Sequence, residues 1–164
     1  MAKSSKKNQK NKIVGLIIAL MVVLVGGVLF MGAVSGWFED SKVVLSSEYY
    51  SENPEFIDLD INEYEELLKA RKSFLVFVDN TSCTTADRVR GYVSDYMKEQ
   101  GVKVYKVMFK DIKDSSLHDY VKYYPSVVIV DRGRVRAFLR ADSDEDADKY
   151  NNYESFQDWL NKYF

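Results

Sequence analysis

The sequence predicts an α/β domain, a mixed β-sheet with helices on both faces, preceded by one N-terminal transmembrane helix. Three observations predict it. Strand-like and helix-like segments alternate from Phe56 to the C-terminus. Two strand-like runs, Ser73–Asp79 and Ser126–Asp131, are almost wholly apolar, the pattern of strands covered on both faces. Residues 13–38 contain no charged side chain.

The chain opens with a basic tail over residues 1–12, carrying Lys3, Lys6, Lys7, Lys10 and Lys12. Residues 13–38 follow as the expected anchor. Their most apolar part, Ile13–Val34, spans about 33 Å as a helix, close to a hydrocarbon core of roughly 30 Å. Trp37 and Phe38 stand where an interfacial aromatic anchor belongs, and Glu39 and Asp40 come next. The positive-inside rule keeps the tail in the cytoplasm and sends the remainder across. The expectation is a single-pass protein of the cell membrane, with the bilayer as partner of residues 13–38 and the C-terminal domain extracytoplasmic. A cleaved signal peptide ending near Ala33-Val34-Ser35 is the competing reading, although its apolar core would exceed the usual ~7–15 residues. Both readings export the domain. After residue 38 there remain 18 basic and 25 acidic residues, a net charge of −7, which argues against nucleic acid as a partner.

Residues 39–54 are rich in Ser, Glu and Tyr, show no sustained period and end at Pro54. They read as a linker, leaving 55–164 as the folded domain. Phe56–Leu59 is a short strand. Asp60 can cap a helix over Ile61–Arg71, with Ile61, Tyr64, Leu67 and Leu68 on one face. Ser73–Asp79 is a buried strand. A helix over Thr84–Gln100 carries Ala86, Val89, Val93, Tyr96 and Met97 at helical spacing and ends at Gly101. Lys103–Phe109 is the next strand. Asp114 or Ser115 can cap a third helix with Leu117, Tyr120, Val121 and Tyr124 on one stripe. Ser126–Asp131 is the second buried strand, and Asp131-Arg132-Gly133-Arg134 a tight turn into Val135–Ala141. Tyr153–Phe164 closes the chain as a helix. Strand–helix alternation predicts parallel pairs, with the last hairpin as an antiparallel edge.

Two places far apart carry the chemistry. Cys83, the only cysteine, lies in Thr81-Ser82-Cys83-Thr84-Thr85-Ala86 at the predicted start of a helix, and Tyr124-Pro125-Ser126 leads into a strand. With the element order, these motifs make residues 55–164 resemble the thioredoxin-like superfamily. The resemblance implies that Cys83 takes the first position of a Cys-x-x-Cys site, that Tyr124-Pro125 is a cis-proline loop beside it, and that Ser82, Thr84, Thr85, Tyr124, Pro125 and Ser126 line a peptide-binding surface. Ala86 stands at the second cysteine position, Ser82 where a bulky aromatic is frequent, and Thr84-Thr85 where Gly-Pro is frequent. Asp79 reads as a strand-end residue, not as the family's buried acid.

Helix-start amides and the helix dipole favour a thiolate placed there, and a thiolate attacks a disulfide to give a mixed disulfide. Without a second thiol the site cannot turn over as a dithiol reductase. A lone thiol can still shuffle disulfides in exported protein or peptide clients, or exchange with a small thiol. Three readings of Cys83 stay open here: a reactive thiol, a tolerated cysteine and an intermolecular disulfide. Two functions follow: a membrane-anchored monothiol exchange or folding protein, or a non-catalytic interaction module of an export or envelope complex.

No cofactor or metal site is expected. His118, the only histidine, has no Cys or His near it in sequence and reads as a surface residue. The acidic run 142–148 lacks the glycine and terminal acid of a calcium loop and reads as a solvated, mobile loop. Arg132, Arg134, Arg136 and Arg140 cluster about the last hairpin, where they can pair with acids, protect a sheet edge or meet an anionic partner.

Overall fold

The structure, a computed structural model, describes residues 42–164, together with Met21. The anchor expected over 13–38 and the tail over 1–12 lie outside the described residues. Among the described residues no helix is long and apolar enough to cross a membrane.

Five strands form one sheet in the order β1-β3-β2-β4-β5: β1 (Phe56–Asp58), β2 (Phe74–Asp79), β3 (Val104–Met108), β4 (Ser126–Asp131) and β5 (Arg134–Phe138). Within residues 42–164 four α-helices accompany them: α1 (Ile61–Lys69), α2 (Thr84–Gln100), α3 (Ala147–Asn151) and α4 (Tyr153–Asn161). β2 is buried at every position, and β4 at all but its last. Phe74 packs edge-on against Tyr64 of α1, whereas Asp79, of opposite parity, reaches Arg90 of α2. Successive strand side chains face opposite layers, so the two faces of β2 are covered by different helices. Asp60 caps α1 by accepting from the Asn62 N–H at 2.8 Å. Gly101 ends α2 at φ 63°, its N–H donating to the Met97 carbonyl, a conformation that costs glycine little.

The topology differs from expectation in one respect that matters for the site. β1–β3 and β2–β3 are parallel, but β4 is antiparallel to both β2 and β5. The β3–β4 connection therefore returns to the sheet end it left, and no full-length crossover helix is needed. The third helix expected there is replaced by two 3-10 turns, Phe109–Asp111 and Ser116–Asp119. Side chains outcompete the helix: Glu65 of α1 accepts from the Ser116 N–H (3.0 Å) and hydroxyl (2.7 Å), and the Ser115 hydroxyl donates to the Ile112 carbonyl at 2.7 Å. Such bonds divert the backbone, and Pro125 disfavours helix at Tyr124.

Two further readings are corrected. From residue 42 onward, the stretch taken as a linker is docked on the domain. Val43, Leu45 and Tyr49 are buried, and the Tyr49 ring packs on Phe74 and Tyr105. The Val43 N–H donates to the Tyr163 carbonyl, and the Tyr49 carbonyl accepts from the Lys103 N–H. Each such apolar side chain contributes about 1.5–3 kcal/mol when buried, enough to hold an otherwise irregular segment. The acidic run is also structured: Asp146 accepts from the Arg140 N–H and from Lys149 Nζ, both at 2.9 Å, and leads directly into α3.

Candidate functional site

β2 delivers the chain to the site. Beyond Asp79, the Asn80 side chain accepts from the Ser82 N–H at 3.0 Å, and the Asn80 carbonyl from the Cys83 N–H at 3.3 Å. This tight turn points the chain into α2. Cys83 is the N-cap, with extended backbone (φ −124°, ψ 120°) and no cap hydrogen bond from its side chain. Its carbonyl accepts the first helical bond, from the Asp87 N–H. The thiol is free and half-buried. Ser82 and Thr84 are exposed and Thr85 half-buried. Ala86, one turn into α2, is wholly buried, because its helix face is also that of Val89 and Val93.

An ion pair that sequence reasoning missed fixes this turn. Arg90 of α2 grips Asp79 with two bonds, Nε to Oδ2 at 2.8 Å and Nη2 to Oδ1 at 2.7 Å. Asp79 Oδ1 also accepts from the Asn80 N–H at 2.7 Å. Arg90 additionally pairs with Asp87 at 2.6 Å. Hydrogen bonding to Asp79 holds the guanidinium pKa above its ordinary value. The Asp79 side chain is only 3% exposed, and buried charges persist where they are paired this way. The sequence shows an acid closing an otherwise apolar run and two arginines, Arg88 and Arg90, on either side of Val89 in the next helix, but not which of them meets that acid.

The proline loop lies at the same end of the sheet. Val78 is the register partner of Ser126, so Tyr124 and Pro125 leave β4 beside the turn that follows β2. The Tyr124–Pro125 peptide bond is cis. The Tyr150 O–H of α3 donates to the Pro125 carbonyl at 2.9 Å in a buried bond. Ser126 is a correction: it is fully buried and its hydroxyl donates to the Leu139 carbonyl at 2.7 Å, so its side chain faces the core and not a peptide. Pro125 is buried too. Tyr124 alone stands out of this loop, 40% exposed, with its ring 4.7 Å from Phe109. Among the described residues, neither its N–H nor its carbonyl is hydrogen-bonded.

His118 is not a plain surface residue. It is half-buried against Phe109, and its Nδ1 is buried without a partner. Among the described residues no group of three or more His, Cys, Asp or Glu side chains is arranged to hold a metal ion.

No family model and no curated protein matches the chain. Solved structures do. The reduced thioredoxin pre-protein of Schistosoma mansoni aligns at 15% identity with a TM-score of 0.50, covering 68% of this chain and 100% of its own. A mutant thioredoxin of Halobacterium salinarum NRC-1 aligns at 11% identity and TM-score 0.47, covering 70% and 93%. Plasmodium falciparum thioredoxin aligns at 12% and 0.47, covering 67% and 99%. The likeness is one of fold.

Proposed function

From a thioredoxin-like fold with a single thiol at its site end, we propose a membrane-anchored, extracytoplasmic monothiol exchange protein acting on exported protein or peptide clients. One observation carries the reading: the half-exposed Cys83 caps α2 at the sheet end that also bears the Tyr124–Pro125 loop. The Cys83 thiolate attacks one sulfur of a client disulfide. The client S–S bond breaks, a mixed disulfide forms, and the second client sulfur leaves as a thiolate that takes a proton from water. A client thiol, or a small thiol, then attacks the Cys83-bound client sulfur and releases Cys83. Disulfides are rearranged without net oxidation. The unpaired backbone of Tyr124 supports strand addition by an extended client, with Ser82, Thr84 and Thr85 at its flank. The lysines of 1–12 and the apolar run of 13–38 support the anchor and its orientation.

The test is capture. A peptide with a strained disulfide, added to the full chain, gives a mixed disulfide visible by mass spectrometry; Cys83→Ser gives none. Failure of the native chain to form the adduct overturns the thiol role. A second reading has an observation of its own: with Ala86 buried where a resolving thiol would sit, the domain acts as a non-catalytic module that holds a partner. Partner binding undiminished in Cys83→Ser, with no adduct in the native chain, supports that reading. Resistance of the membrane-bound protein to alkaline extraction tests the anchor, and loss of about 35 residues from the mature chain contradicts it.

A further inference from the structure

We propose that the outer edge of β5 is a docking site for an extended acidic segment of a partner protein, added to the sheet as a further strand. β5 ends the sheet, and an open groove of ≈ 450 Å³ lies against it, lined by Val135, Ala137, Phe138, Tyr120 and Trp159 and by the charged side chains of Arg136, Arg140 and Asp146. Side chains of successive strand residues point to opposite faces. Consecutive residues of β5 lining one groove therefore mean that it follows the strand's edge and not either face. Trp159 of α4 forms one wall. Tyr120, its ring edge-on to Phe138 at 5.9 Å, forms the other. The Leu139 N–H bonds inward to the Val127 carbonyl at 3.0 Å, so the alternation of an antiparallel ladder turns the backbone groups of Phe138 outward, toward an incoming strand.

Charge selects the occupant. The chain beyond residue 38 carries a net −7, yet this hairpin is basic. Arg140 is engaged by Glu145 and Asp146. Arg132 is 75% exposed and only 4.0 Å-close to Asp131. Arg134, the first residue of β5 and outside the groove's lining, is exposed and, among the described residues, forms no ion pair, so it meets the end of an added strand. A second copy of β5 laid on the first would set arginines against arginines, which repulsion disfavours; an acidic strand supplies the opposite charge. Aromatic rings beside arginine are also the usual composition of binding hot spots. None of these residues belongs to the thiol site, so the inference stands apart from the redox reading.

The experiment titrates a short fluorescent peptide alternating glutamate with valine into the full-length chain in detergent micelles, beside its lysine–valine counterpart and a backbone N-methylated acidic version. The acidic peptide binds, the basic one binds about tenfold or more weaker, and Arg134→Glu weakens the acidic peptide by about tenfold. N-methylation abolishes binding, and hydrogen exchange slows at the β5 amides. Cys83→Ser leaves binding unchanged. Equal affinity for the two peptides, indifference to Arg134→Glu, or protection confined to the Tyr124 loop overturns the proposal. Concentration-dependent dimerisation that protects β5 also overturns it, by making a second copy the occupant.

Discussion

Replacing Arg90 by methionine probes the device that aims Cys83. The substitution removes two charge-assisted bonds to Asp79, at 2.8 and 2.7 Å, and leaves a carboxylate that is 3% exposed with the Asn80 N–H as its remaining donor. Bonds of this kind contribute about 1.5–3 kcal/mol each, and orphaning one member of a buried pair costs about 3–5 kcal/mol. The Arg90 side chain is 31% exposed, so water screens part of the attraction, and the lower end, about 3 kcal/mol, applies. For a domain of this size that lowers Tm by roughly 10–15 °C. Urea midpoints of the native chain, Arg90→Met, Asp79→Asn and the double variant measure it as a cycle. The double variant is less damaged than the two singles summed, by about 1.5 kcal/mol or more. In the folded Arg90→Met protein, Cys83 also reacts with a small disulfide at a changed rate, because the Asp79–Ser82 turn loses its tether. A loss below about 1 kcal/mol, or strict additivity, refutes the assignment of this pair as the clamp of the turn.

Three more outcomes follow from the same geometry. Tyr150→Phe leaves the buried Pro125 carbonyl without its donor and costs about 1–3 kcal/mol, with faster hydrogen exchange around residues 123–127 as the local readout. Gly133→Ala costs about 2–4 kcal/mol in urea melts, since φ is +76° and a Cβ would fall 2.2 Å from the Leu68 carbonyl oxygen. The fold weakens in alkali. Burial raises Tyr96 to about 12, and burial next to Asp146 and Asp142 pushes Tyr150 up as well. Unfolded tyrosines ionise near ~10, so this stabilisation is complete below about pH 10 and is lost as pH rises through the folded values. Urea midpoints that stay level between about pH 10 and pH 12 contradict it.

Much of the architecture was legible because burial leaves a periodic trace. The apolar runs at 74–79 and 126–131, the stripe through Val89 and Val93, the Asp60 cap, the Gly101 stop and the Arg132-Gly133 turn all declare themselves locally. The failures share a cause. Leu117, Tyr120 and Val121 have helical spacing, but Glu65, far away in sequence, captures Ser116, and no local pattern records that. Val43, Leu45 and Tyr49 are too few to show a period, yet each is buried in the folded domain. The direction of β4 was missed because alternation assumes a crossover, and that direction is what brings Pro125 to the end of the sheet where α2 begins. Within the site, Cys83 and the proline loop were readable as motifs. The Arg90 grip and the Tyr150 bond were not, since each joins residues whose pairing only the folded topology dictates. Ser126 was placed on a peptide-binding surface by the resemblance to a cis-proline loop, whereas β4 is covered on both faces and the Ser126 hydroxyl bonds to the Leu139 carbonyl.

The most direct test of the thiol assignment compares one rate in two states of the same chain. The second-order reaction of Cys83 with a small aromatic disulfide is followed at neutral pH, first in buffer and then in urea sufficient to unfold the domain, with a cysteine peptide correcting for the denaturant. The account predicts that the folded chain reacts faster, because the fold holds the half-buried Cys83 at the start of α2, at the sheet end where the exposed Tyr124 ring can receive an aromatic disulfide. A folded chain that reacts more slowly than the unfolded one contradicts it.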